Sequence, residues 1–182
     1  MSLVVDFVSA LGAQGARTFS VGQATLGGTY TVGTEGQTLL DLATYYWRVL
    51  TTDSPGDSSA YVTANSGNVA FKIDTTDPTA GTVSVAATST TSLTPSISGA
   101  SDGGSGLSAT PYIFYNTTTS TNSGATASTS WLSETLTPNT TYSFYANVSD
   151  LAGNDANTNA IVSKYTLANV PNTLAVSTIS KT

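Results

Sequence analysis

Apolar and polar residues alternate along this chain in short runs, and they almost nowhere recur at helical spacing. The clearest run is 141–150, where Tyr142, Phe144, Ala146 and Val148 alternate with Ser143, Tyr145, Asn147 and Ser149. Successive side chains of an extended strand point to opposite faces, so this pattern predicts a strand with one apolar and one mostly polar face. The run 44–53 reads the same way, with Tyr45, Trp47 and Val49 on one face. Phe71 and Ile73 mark another strand, as do Tyr165 and Leu167. Clusters of Gly, Pro, Asn, Asp and Ser separate the runs, which is the punctuation of an all-β sandwich or barrel. Alternation sends Tyr45, Trp47, Tyr142 and Phe144 into the core and leaves Tyr46 and Tyr145 on the opposite face.

The pattern repeats. Tyr45, Trp47, Asp53 and Gly56 recur as Tyr142, Phe144, Asp150 and Gly153 at an offset of 97 residues, and Leu39 meets Leu136 at the same offset. Downstream the offset falls to 94, where Phe71-Lys72-Ile73 meets Tyr165-Thr166-Leu167, so the second copy has a shorter loop. A Pro and a Val-rich stretch follow each copy, Pro78 before Val83 and Val85, and Pro171 before Val176. Repetition of order, spacing and residue character predicts tandem modules. We expect one over residues 1–76, a second over 77–169, and in 170–182 the opening strand of a third or a tail. The first copy has the shorter stretch ahead of its Tyr-Trp strand. It is therefore expected to lack its first strand, with Val4, Val5 and Phe7 matching the strand around Ile97. The linkers 74–78 and 168–171 are short and contain Pro, which favours extended, semi-rigid connections.

Composition narrows the function. Charged residues make up 9% of the 182, and Ser, Thr, Asn and Gly take their place. Nine Tyr, five Phe and two Trp supply the apolar bulk that disordered chains lack. A net charge of −6 with only five scattered Lys or Arg excludes a nucleic-acid partner, since that affinity comes from clustered cations. No apolar run approaches the roughly 18 residues that span a bilayer, so membrane insertion is not expected of this stretch. No basic and then apolar leader opens it, so targeting or anchoring segments are expected elsewhere. With no Cys and no His, disulfides, thiol nucleophiles, Ser-His-Asp hydrolysis and His-ligated zinc drop out. Glu35 and Glu134, the only Glu residues, belong to different modules and cannot form a paired-carboxylate glycosidase site. Asp102-Gly103-Gly104-Ser105-Gly106 is Gly-rich, but no helix signal follows it, so it is no phosphate cradle. No catalytic residues are expected.

Three side-chain chemistries remain. Asp74, Asp77 and Asp150 fall where modules join or turn, and calcium takes about six to eight oxygen ligands of this kind. Asp beside Gly, Ser or Pro is also ordinary turn chemistry, its carboxylate accepting backbone N–H groups. No cofactor other than calcium has ligands here. Tyr46 and Tyr145 could stack on sugar rings, or could support cross-strand pairs as solvent-facing strand tyrosines commonly do. Asn116-Thr117-Thr118, Asn139-Thr140-Thr141 and Asn147-Val148-Ser149 are N-glycosylation triplets, which a chain so rich in Asn, Ser and Thr also produces by chance.

The stretch Leu136-Thr137-Pro138-Asn139-Thr140-Thr141-Tyr142-Ser143-Phe144 resembles the fibronectin type III signature leading into strand F. Tyr142 matches the tyrosine whose hydroxyl ties back to the backbone as a corner. Thr44-Tyr45-Tyr46-Trp47-Arg48-Val49 is similar to strand F of bacterial fibronectin-like repeats. Asp150-Leu151-Ala152-Gly153-Asn154 resembles the following turn of bacterial Ig-like modules, and Ile73-Asp74-Thr75-Thr76-Asp77-Pro78 their inter-module linker. The resemblance implies tandem antiparallel β-sandwiches of fibronectin type III or Ig-like kind, with Greek-key connections. It further implies a non-catalytic structural, spacer or adhesive region of an extracellular or cell-surface protein, whose partners are neighbouring repeats of the same chain. The alternative it implies is an accessory module binding polysaccharide or a surface protein, stiffened by calcium as related repeats are. The cell-attachment Arg-Gly-Asp of some fibronectin modules is missing.

Overall fold

The computed structural model describes residues 2–8, 19–21, 40–52, 57, 59–60, 62–63 and 65–171. Glu35, Leu39, Asp53, Gly56, Val176 and the segment 172–182 lie outside them, as does the side chain of Trp47. The chain divides into two compact units, Met1–Thr76 and Asp77–Thr182. The described residues are all-β, apart from a single 3-10 turn at Asn65–Gly67.

In the second unit the strands are β6 (Thr82–Ala87), β7 (Leu93–Ser98), β8 (Leu107–Asn116), β9 (Thr121–Asn122), β10 (Thr141–Asp150), β11 (Asp155–Asn157) and β12 (Val162–Tyr165). β6 and β7 form an antiparallel pair. The segment 129–133 extends that pair through Ile97 N–H to Thr129 O (2.9 Å), Trp131 N–H to Pro95 O (3.1 Å) and Leu93 N–H to Ser133 O (3.0 Å). The other sheet runs β11-β10-β8-β9, with β12 also paired to β10. β10 is the spine: burial alternates strictly along all ten of its residues, as its sequence predicts.

The two sheets close on one core. Val83 and Ile97 meet Tyr112, Phe114, Ala146 and Val148, while Leu93 and Leu136 meet Tyr142 and Phe144. Trp131 packs against both groups and sets its ring edge-to-face on Phe144, 6.4 Å between centroids at 74°. Its neighbour Leu132 faces outward, so the extended backbone resolves the competition between these two large residues. Each fully buried Phe or Leu contributes about 1.5–3 kcal/mol by leaving water, and the core is built from such increments. At the entrance to β6, Gly81 adopts φ +74°, and a Cβ there would strike the carbonyl oxygen of Ser98.

The first unit carries β1 (Ser2–Val8), β2 (Phe19–Val21), β3 (Thr44–Thr52), β4 (Val62–Thr63) and β5 (Phe71–Lys72). They form an antiparallel sheet in the order β2-β1-β3-β4, with β5 also on β3. This order matches β9-β8-β10-β11 with β12 on β10, strand for strand. β1 pairs with β3 as β8 pairs with β10, so Val4, Val5 and Phe7 occupy the place of β8 and not that of the strand around Ile97. The sequence misassigned them because alternation identifies a strand but not its neighbours, which long-range pairing decides.

Candidate functional site

Each unit turns into its central strand through the same device. The Tyr45 hydroxyl accepts the backbone N–H of Leu40 at 2.9 Å, and the Tyr142 hydroxyl accepts that of Thr137 at 2.8 Å, each five residues upstream. Tyr45 is 1% exposed and Tyr142 5%, so each ring is buried while its hydroxyl accepts a backbone amide near the surface. Tyr45 also stacks on Phe71 of β5, 5.2 Å between centroids. Phe144 is fully buried. The residue between the corner amide and the strand is left-handed in both units, Leu42 at φ 57° and Asn139 at φ 51°.

The corner also holds the segment leaving the unit. In the first, Asp41 accepts the Thr75 N–H at 2.7 Å and the Thr76 hydroxyl at 2.6 Å. Those bonds, from the Thr76 side chain first and the Thr75 backbone second, hold the Asp41 carboxyl below its ordinary value. In the second unit a neutral group does this work: the Thr166 hydroxyl accepts Thr140 N–H at 3.1 Å and donates to Thr137 O at 2.7 Å. Asp41 was not anticipated from sequence, because its partners lie 34 and 35 residues away.

The calcium candidates are divided between the two units of the chain. Asp74 belongs to the first unit, where it accepts the Thr76 N–H at 3.2 Å. Asp77 opens the second unit and is exposed. Asp150 ends β10 at 3% exposure. Within the second unit the carboxylate beside Asp150 is Asp102, with oxygens of the two within 4.8 Å. Each is bonded by its own loop. Asp102 accepts Gly104 N–H at 2.9 Å and Gly106 N–H at 2.7 Å. Asp150 accepts Gly153 N–H at 2.7 Å, Asn154 N–H at 2.8 Å and the Asn154 side-chain amide at 2.7 Å. Burial alone pushes the Asp150 carboxyl up, but the bonds from Asn154, Gly153 and Ala152 outweigh it and the pKa lies below 3.8. The loops are tied to each other as well, Leu151 N–H to Gly106 O at 2.9 Å and Ala152 N–H to the Ser105 hydroxyl at 3.2 Å.

The outer face of the β8–β10 sheet carries Tyr145. Its ring lies parallel to that of Tyr115 directly across the strands, 4.7 Å between centroids and 7° between planes. One face of each ring is therefore occupied by the other, as in a cross-strand aromatic pair. Polar pairs flank it, Asn147 to Asn157 at 3.2 Å and Ser143 to Ser163 at 2.8 Å, and Ser149 donates to Asp155. Tyr46 is half-buried on β3. A groove of about 450 Å³ lies between 78–82 and 156–159, and no titratable side chain lines it.

In the second unit, two antiparallel sheets packed face to face, entered through a tyrosine corner, define a β-sandwich of the fibronectin type III kind. The chain is similar to the solved structure of the FN1-FN3 domains of chicken CNTN1, with a TM-score of 0.52 and 17% sequence identity. The match covers 91% of this chain and 55% of that one, so the chain spans little more than half the length of its structural neighbour. No protein-family model matches the chain, and no curated protein matches it.

Proposed function

We propose that this chain is a non-catalytic spacer and adhesive-stalk region of an extracellular or cell-surface protein, made of tandem modules. The observation that carries the reading is the recurrence of one corner at one offset: Tyr45 on Leu40 and Tyr142 on Thr137, in sheets of the same strand order. A catalytic chain needs convergent acids, bases or nucleophiles around a cavity. Here Asp102 and Asp150 are bonded into their own turns, and Tyr145 stacks on Tyr115. Backbone amides engage Asp102 and Asp150, as in ordinary Asp turns. Fold alone does not dictate function, so the test is mechanical as well as biochemical.

Pulling the chain from its two ends should show a discrete unfolding event for residues 77–171 that releases roughly 300 Å of contour, at about 3.3–3.6 Å per residue. EDTA should leave the unfolding force unchanged. A parallel screen against polysaccharides, cell-wall material and matrix proteins should show no saturable binding. Binding abolished by Tyr145→Ala or Tyr46→Ala would replace the spacer with a recognition module.

A further inference from the structure

The second unit contains three N-glycosylation triplets, and the fold treats them differently. Asn116 ends β8 at 1% exposure. Its carboxamide oxygen accepts Thr118 and Thr119 N–H at 3.1 and 3.3 Å, and its amide reaches the buried Ser133 hydroxyl at 3.4 Å. A glycan there would remove the cap and could not fit the core. Asn147 lies half-buried in the middle of β10, its amide spent on Asn157 across the strands. Asn139 is different. It is exposed in the Pro138–Asn139 turn, and only its backbone is engaged, N–H to Leu167 O at 3.2 Å. Among the described residues its carboxamide has no hydrogen-bond partner.

We infer that Asn139 is the acceptor site for an N-linked oligosaccharide on this chain. The left-handed φ of 51° is one that Asn adopts more readily than most residues. Thr141 supplies the third residue of the triplet at the first position of β10. The co-reactants are a lipid-pyrophosphate-linked oligosaccharide and its transferase. The Asn139 amide nitrogen bonds to C1 of the first sugar, and the C1–O bond to the pyrophosphate breaks. The lipid pyrophosphate leaves with the electron pair, and the amide proton passes to a base on the transferase. β10 spans roughly 30 Å, so a glycan at its start is remote from the Asp102 and Asp150 loops at its end. The inference rests on the extracellular reading, since such transfer occurs on exported chains.

The experiment is secretion of the full chain from a eukaryotic host behind an added signal, with intact-mass and glycopeptide mapping of the secreted, folded fraction. The expected result is one N-linked glycan at Asn139, absent from Asn139→Asp and from Thr141→Val and retained in Asn147→Asp. Asp suits the same turn and is what enzymatic deglycosylation leaves, so the Asn139→Asp chain should keep the wild-type near-ultraviolet spectrum. An unmodified Asn139, or a glycan at Asn116 or Asn147 in folded protein, overturns the assignment. Because secretion is imposed, the result stands apart from the native location, which protease accessibility on intact source cells reads separately.

Discussion

At the residue scale the tyrosine corner is worth isolating, because one atom carries it. Tyr142→Phe keeps the ring and deletes the hydroxyl that accepts the Thr137 N–H. The amide of exposed Thr137 then turns to water, and the lost bond costs about 0.5–1.5 kcal/mol. Chemical denaturation should show the midpoint of the second unit falling by that amount with an unchanged slope. Leu42 offers the opposite case. It sits at φ 57° and is 55% exposed, so it bears left-handed strain without much burial to offset it. The equivalent turn in the second unit places Asn139 there. Leu42→Asn, made in a host that does not glycosylate, should stabilise the first unit by about 0.5–1.5 kcal/mol, read from its thermal midpoint. Tyr142 as a corner was legible from the Leu-Thr-Pro run before it. The strain at Leu42 was not, since no local pattern announces a positive φ in a Leu.

At the scale of elements, β10 and the loop after it illustrate what sequence can and cannot deliver. Strict alternation made the strand and its buried face readable residue by residue. The pairing of Asp150 with Asp102 was not readable, because it follows from two loops brought together by sheet closure over more than forty residues. Tyr145 was legible as an outward residue, but its stacking on Tyr115 depends on cross-strand register, and β1 was misplaced for the same reason. The Asp150 turn also makes an acid-sensitive element. Its folded pKa lies below 3.8, so between that value and 3.8 the unfolded chain binds protons that the folded chain does not. The stabilisation is complete above pH 3.8 and is lost as pH falls through the depressed value, with Asp102 the neighbouring carboxylate. Asp150→Asn should lower the melting temperature at pH 7 and flatten its decline in acid, as a series of melts from pH 6 to 2 would record.

For the whole molecule, the two units answer the question of legibility in different ways. The repeat at an offset of 97 was visible because residues of the same character recur at fixed positions, and the Tyr45 and Tyr142 hydroxyls each accept an amide five residues upstream. The role proposed for the chain rests largely on exclusion, through the missing His and Cys. The outer face of the β8–β10 sheet has a physical consequence of its own. Apart from the Ser149–Asp155 bond, amides and hydroxyls meet across its strands where many soluble proteins set Lys against Glu, with a ring pair between them. Dissolved ions screen Coulombic contacts and leave such contacts almost untouched. A sheet stitched in this way should hold its shape equally well in dilute fresh water and in brine.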